Sequence, residues 1–600
     1  MKMRAPCDYT LELTFSGPLL SQAPGVLAFG VDTAMQRYRK QPVLNGSLVR
    51  GNIRHVLEEF AELLQDSDLT NHIARWFGTE TKAKTKDSDS QYTPNRSEID
   101  FDFFWKLKEP LKEQTSLARR NRIKLEEESG KVEKGALQVI EDCFPSGGGD
   151  IIFEGKLHAR FATSGEEKAF SHWLSKALDY IPAMGSFKGI GFGKLQGWKL
   201  TDISTKPRPV GNHQFPDGNT RIGITLHLDR PFCLGRPCTT DSNRIVSDEI
   251  ISGNVIKGVI ARHYPDRKLP KDLYFDDLII SHAVPVLANL GRPSLLPLSL
   301  ATHKDEVVDM STASVAGKWD EAPVFRPDWK SDDYKKAEDA WGSSNQHPER
   351  YLSIRTEINR EKGISKESRL FTLECIDPHG FIWCADIELC QIEQSKRPAA
   401  FARLQTILQH GLTGIGKTKA RAKVTITHPF TPFKQISEDL PCRQDDLYIV
   451  TLQTSARLLP PELKLTGVNS HAELKKCYQK YWGDQHRNIT LVNYYAQQQL
   501  TSAYYHQRQH DRDAADYYPE WLTTAGSVFV LQIKEDEALQ RLKLWNRTGL
   551  PAHANADDSL ADWRTTPYLP EHGYGEIIIN DPRQLGLPFE PSKSGQEASA

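Results

Sequence analysis

The chain has no run of about 18 apolar residues, which excludes a membrane-crossing helix on sequence grounds. Its opening stretch, MKMRAPCDYTLELTF, has no apolar signal-peptide core and reads directly into a strand, so a cytoplasmic location is expected. The nine cysteines include no C-x-x-C pair; Cys233/Cys238 and Cys384/Cys390 come nearest. That usage fits free buried thiols in a reducing compartment and supplies no local zinc motif. Excess charge is also missing: 76 Lys and Arg against 78 Asp and Glu leave a net charge of −2. The molecule as a whole is therefore not a basic nucleic-acid sponge. The 19 histidines form no pair in a repeated position, which leaves a histidine-based endonuclease without support.

What is present is a 600-residue chain, 38% hydrophobic and 26% charged, which suits two to four globular domains. Charge is patchy. MQRYRK, LARRNRIK and KARAK are basic, whereas SDDYKKAEDAW and NADDSLADW lean acidic. One basic run is ordinarily a solvated face, so the positions of these runs must carry any functional reading.

One stretch matches a nucleotide-binding motif. Gly411-Leu412-Thr413-Gly414-Ile415-Gly416-Lys417-Thr418 satisfies G-x-x-x-x-G-K-[ST], the phosphate loop of nucleotide hydrolases. Such a loop follows a strand and opens a helix, whose free N–H groups hold the phosphates. Here the order is reversed. Phe401, Leu404, Ile407 and Leu408 precede the loop at helical spacing, and Val424 and Ile426 follow it in strand-like alternation. No ATP is expected.

Four features recur in order in the two halves, which indicates a duplication. YTLELTFSGPLL answers to IGITLHLDRPFCLG, and NGSLVRGNIR to SGNVIKGVIAR, both with G-x-x-x-[RK]-G. Arg120, Ile123, Gly130, Leu137 and Glu141 answer to Arg355, Ile358, Gly363, Leu370 and Glu374. The glycine loop from Gly185 to Gly193 answers to the one beginning at Gly411. The expected class is α+β. Its domains are 1–210 with an insertion at about 60–118, 211–440 with an insertion at about 263–350, and an α+β region at 441–590, read as a partial third unit. A helix is expected over Asn493 to Tyr505, and residues 591–600 read as a disordered tail.

The chemistry of the repeated motif points to a polyanion. Gly46 and Gly51 allow close backbone approach, Ser47 is placed to cap the helix, and Arg50 and Arg54 share one face. Asn254, Lys257 and Arg262 hold the matching places in the second half. The glycine loops add Lys188 and Lys194 in one half and Lys417, Lys419 and Arg421 in the other. Arg37, Arg39, Lys40, Arg120, Arg122 and Arg355 complete the candidate RNA-binding set, a surface suited to gripping a nucleic-acid backbone without reading bases.

Taken together, the ordered motifs resemble the RAMP superfamily of CRISPR-associated proteins, and within it the backbone subunits of type III effector complexes. Gly46 to Arg54 match the Gly-Ser-x-[LI]-[KR]-Gly-x-x-Arg helix start; Arg120 to Glu141 and Arg355 to Glu374 match the R-x-x-I…G…LF…E segment. The resemblance covers most of residues 1–430, and the two-copy arrangement is similar to the tandem backbone subunit of III-D-like complexes. It implies a ferredoxin-like (RRM-like) core in each half, guide RNA and complementary target RNA as ligands, other effector subunits as partners, and a projecting hairpin. It further implies a cutting aspartate between the first strand and the Gly-Ser helix. Asp32, fourteen residues before Gly46, and Asp241, twelve before Gly253, hold that place, with Asp229 and Asp248 as competitors. Either would hold Mg²⁺ or Mn²⁺ for attack by the RNA 2′-OH, and either is also readable as a loop cap. Three readings follow: a backbone subunit that slices target RNA, the same scaffold without catalysis, and an NTPase resting on the phosphate-loop motif alone.

Overall fold

Residues Cys7–Ser16 show why the first sheet forms: Tyr9, Leu11, Leu13 and Phe15 are buried while the alternate residues are not. That period of two is a strand with one face on a core. The computed structural model describes residues 7–23, 31–79, 97–111, 118–144, 149–161, 163–204, 220–236, 243–264, 269–287, 292–303, 306–313, 324–325, 332–341, 347–358, 365–430, 446–461, 463, 470–483, 489–501, 519–554, 563 and 566–585. The expected tail at 591–600 lies outside them. By its internal contacts the chain divides into two units. One comprises Met1–Arg208, His263–Asp266 and Leu352–Thr372; the other comprises Pro209–Arg262, Arg267–Tyr351 and Leu373–Ala600.

In the first unit, Cys7–Ser16 pairs antiparallel with Asp150–Ala159 on one side and Lys194–Asp202 on the other. Ile99–Phe101 and Phe104–Leu107 add to the far side of Asp150–Ala159. Helices Gly46–Leu64 and Ser164–Tyr180 bury Val49, Ile53, Leu57, Phe170 and Leu174 in the same core as Leu11, Leu13 and Phe15. In the second unit, Arg221–Leu228 lies between Phe381–Glu388 and Ala420–Thr427, with Ile279–Ile280 and Val284–Leu287 beyond Phe381–Glu388. The same unit holds a third sheet, in the order Ile489–Tyr495, Val528–Ile533, Leu447–Leu452, Ile577–Ile579.

The three sheets share one connectivity. Counting only the four strands common to all three, and leaving aside the extra strands of the first two sheets, the order is fourth, first, third, second, and neighbours are antiparallel. A helix joins first to second strand (Gly46–Leu64, Gly253–Ala261, Ser470–Gly483) and another joins third to fourth (Ser164–Tyr180, Arg397–Gln409, Asp536–Thr548). Between second and third a hairpin is inserted: Ala118–Arg122 with Gln138–Asp142, Arg350–Ile358 with Ser365–Ile376, and Gln498–Thr501 with Glu520–Thr523.

The α+β class is therefore observed, with two departures in detail. The helix expected over Asn493 to Tyr505 is strand at Asn493 to Tyr495 and Gln498–Thr501, with 502–505 outside the described residues, because Leu491, Tyr494 and Tyr495 pair with Leu531, Phe529 and Val528. Cross-strand pairing onto a buried strand outweighs the helix-compatible Gln-rich composition. The two regions read as insertions also supply sheet strands, Ile99–Phe101 and Phe104–Leu107 in one and Ile279–Ile280 and Val284–Leu287 in the other.

Within the second unit, a buried ionic cluster joins the second and third sheets. Arg292 donates both terminal nitrogens to Glu576 at 2.6 Å. Beside it, burial pushes the His282 imidazole down to about 4. Above its ordinary value of about 6.5 His282 is neutral both folded and unfolded, so it exacts no penalty there. Between 6.5 and 4 the unfolded chain takes up the proton first, so stability falls as pH falls. We expect that loss to amount to roughly 2–3 kcal/mol and to flatten in His282→Asn, as read by denaturant titration across that range.

Candidate nucleic-acid interface

The repeated G-x-x-x-[RK]-G opens a helix in both copies, at Gly46 and at Gly253. The first glycine is required by packing: a Cβ on Gly46 would stand 1.7 Å from the Asp102 carbonyl oxygen, and one on Gly253 2.0 Å from that of Ile280. The second glycine is not. Gly51 and Gly258 are exposed inside their helices, and a Cβ on either would meet nothing within 4 Å. A mid-helix glycine costs about 1 kcal/mol relative to alanine, so both copies carry this cost without a packing return. The expected cap is corrected as well: Asn45 is the N-cap residue, it makes no side-chain capping bond, and Ser47 stands exposed within the first turn. In the second copy Ser252 is the N-cap and its hydroxyl bonds Asn254 Oδ1 at 2.5 Å.

The basic residue of the motif turns inward in both copies. Arg50 donates to the Phe77 carbonyl and lies 6.0 Å over the Phe77 ring. Lys257 reaches the Asp276 carbonyl at 3.5 Å and lies 5.3 Å from the Phe275 ring. Burial pulls the Lys257 ammonium down to about 8. Burial, with Arg54 and Arg355 nearby, holds the Arg50 guanidinium below its ordinary range, and its Nε has no partner among the described residues. Arg54 is paired with Glu58 at 2.8 Å, and Arg355 lies 5.6 Å over the Phe103 ring. Three guanidinium groups thus gather in the first unit, their mutual repulsion offset in part by Glu58 on Arg54 and by Asp100 near Arg50.

The loop after the first strand is anchored by a glutamate that sequence reasoning aligned but gave no role. Glu141, on the hairpin strand Gln138–Asp142, accepts Arg37 through both oxygens at 2.6 and 2.9 Å and the Met35 N–H at 2.7 Å. Arg37 is thereby committed to the fold. In the second copy Glu374 accepts Arg244, and also Arg350 at 2.7 Å. Asp32 is exposed, and its Oδ2 accepts the Val139 N–H at 2.7 Å. Asp241 lies outside the described residues. Its two competitors are occupied: Asp229 holds Arg230 and Arg421, and Asp248 holds Arg236.

The second glycine loop is a β-hairpin turn, whereas the first carries a 3-10 turn at Lys188–Ile190 and leads into Lys194–Asp202. Helix Arg397–Gln409 precedes strand Leu412–Ile415, which folds back on Ala420–Thr427; no helix follows the Gly-Lys-Thr. Thr418, the residue that would bind a nucleotide's metal, is buried, and its hydroxyl has no partner among the described residues. Hydrogen bonds also correct the alignment of the two loops. Ser186 N–H donates to Leu20 O and Lys417 N–H to Cys233 O, each at 2.8 Å. A Cβ on Gly185 or on Gly416 would lie 2.5 Å from that same carbonyl oxygen. Gly185 therefore answers to Gly416, not to Gly411, and Lys417 to Ser186. Both glycines have positive φ, +107° and +66°, so Gly185→Ala and Gly416→Ala are each expected to lower unfolding stability by roughly 1–3 kcal/mol.

The remaining candidates separate by exposure. Arg39, Lys40, Ser47, Arg122, Lys188, Lys194 and Lys417 are exposed, and Lys419 is half-buried with φ of +54°. Arg120 is held by Asp142 at 2.9 Å and lies over Phe192. Arg262 donates to the Gly414 carbonyl at 2.8 Å, and Arg421 is bound to Asp229. Among the described residues no group of three His, Cys, Asp or Glu gathers as a metal cluster, and no helix is long and apolar enough to cross a membrane. No protein-family model matches the chain, and no curated protein matches it.

Proposed function

We propose that the chain is a guide-RNA-binding backbone subunit of a cytoplasmic type III CRISPR effector complex, built from ferredoxin-like RAMP-type repeats, that also cuts complementary target RNA. One observation carries this reading: the strand order fourth-first-third-second, with a hairpin inserted at the same connection, occurs three times. The gathering of Arg50, Arg54 and Arg355 supports a polyanion as the ligand, and the open backbone at Gly51 and Gly258 supports its close approach. Replacing Gly51 by Ala separates these roles. The free chain is expected to gain roughly 0.5–1 kcal/mol in stability while RNA binding by the complex weakens.

For cutting, Asp32 is the carboxylate we assign. A lone exposed carboxylate fits Mg²⁺ or Mn²⁺ only where phosphate oxygens and water complete the shell. When bound, the ion would draw charge from the scissile phosphate. The RNA 2′-oxygen bonds to phosphorus as the bond to the 5′-oxygen breaks. The 2′ proton passes to solvent and the 5′-oxygen takes one up, giving a 2′,3′-cyclic phosphate and a 5′-hydroxyl. DNA lacks the 2′-OH and is not cut. Arg39 and Lys40, exposed on the turn that follows, supply positive charge. The Val139 N–H bond to Asp32 favours one competing reading, a non-catalytic scaffold in which Asp32 only braces the loop. Incubating the assembled complex with guide-matched RNA and Mg²⁺ decides between them: discrete cuts ending in cyclic phosphate support slicing, and binding without cuts supports the scaffold.

A further inference from the structure

The two copies differ at the place where cutting requires them to agree. In the first, Gln22 bridges Met35 on the loop after the first strand; in the second, Gly235 bridges Ser247. The residues that follow confirm the match, since Gln36 N–H donates to the Ser21 carbonyl and Asp248 N–H to the Leu234 carbonyl, each at 2.7 Å. Asp32 stands three residues before Met35, and Arg244 three before Ser247. Spacing to the helix had suggested Asp241, but the second loop is shorter. Eleven positions separate Met35 from Gly46 and six separate Ser247 from Gly253. The first copy spends the difference on the turn between Arg37–Tyr38 and Gln41–Asn45.

We propose that only the first copy carries a cutting site, so that the second copy positions RNA without cleaving it. This rests on the reading of the chain as a target-cutting subunit. Arg244 offers five donors, no acceptor and a permanent positive charge, so it repels a divalent cation where Asp32 would attract one. Among the described residues no neighbouring carboxylate substitutes for it. Glu374 is buried and accepts Arg244 on one oxygen and Arg350 on the other. Asp248 holds Arg236 and the Ile250 N–H, and Asp229 holds Arg230 and Arg421.

Mapping cut positions on end-labelled, guide-matched RNA tests this with the assembled complex. Asp32→Asn is expected to remove the whole set of cuts that depends on this chain. Asp241→Asn and Arg244→Gln are expected to leave cut positions unchanged and rates within about twofold, with thermal unfolding reporting whether Arg244→Gln folds. A second set of cuts, retained in Asp32→Asn and lost in Asp241→Asn, overturns the inference while leaving the slicing reading intact. Absence of any cut by the wild-type complex overturns both.

Discussion

Asp32→Asn in the assembled complex is expected to slow target-RNA cutting by roughly 100-fold or more, the scale of losing a charge that stabilises a phosphoryl transition state. Asparagine suits this test because its side-chain oxygen can still accept the Val139 N–H that Asp32 now accepts at 2.7 Å. The loop conformation is therefore retained and only the charge is lost. Stability of the chain should change by less than about 0.5 kcal/mol, as for an exposed substitution outside a charge pair. Guide-RNA affinity should stay within about twofold, because a removed negative charge cannot weaken the hold on a polyanion. A variant that still cuts at the wild-type rate returns Asp32 to the role of a loop brace.

Glu141→Ala is expected to cost roughly 3–5 kcal/mol of unfolding stability, the range for breaking a buried pair by removing one partner. The Glu141 side chain is 2% exposed against 28% for Arg37, so the guanidinium and the Met35 N–H are left short of partners in a poorly solvated place. Glu141→Gln keeps one acceptor and should lose about half as much. Burial alone would raise the Glu141 carboxyl, but Arg37 and the Met35 N–H outweigh it and hold it below the ordinary carboxylate range. Its contribution is therefore present above the ordinary glutamate value of about 4.3 and lost as pH falls below it. Denaturant titrations of the wild type and both variants at neutral pH and near pH 3 check both statements. Equal stabilities at neutral pH would contradict the assigned role.

The repeat was legible because its motifs rest on backbone requirements. Gly46 and Gly253 cannot carry a Cβ, so the pattern shows in the letters. The glycine loops were legible as turns, and helix-before-strand order was enough to set aside a nucleotide site at Lys417. Their alignment was not, because Gly185 and Gly416 are matched by hydrogen bonds to Leu20 and Cys233, which lie far away in sequence. The same limit applies to charge. Arg37, Arg50 and Lys257 look like surface cations in the sequence, yet each is bound to a carboxylate or a carbonyl that the fold brings from 19 to 104 residues away. The third sheet was legible only in part for a related reason: it keeps the strand order but not the G-x-x-x-[RK]-G letters, and its helix begins SHAELKK.

The most direct measurement is sequencing of the RNA that stays bound when the chain is isolated within its intact native complex. The account predicts a discrete population of short RNAs transcribed from a repeat array, sharing a common end and differing in the guide portion. Recovery of no RNA, or of fragments drawn at random from the transcriptome, would contradict it.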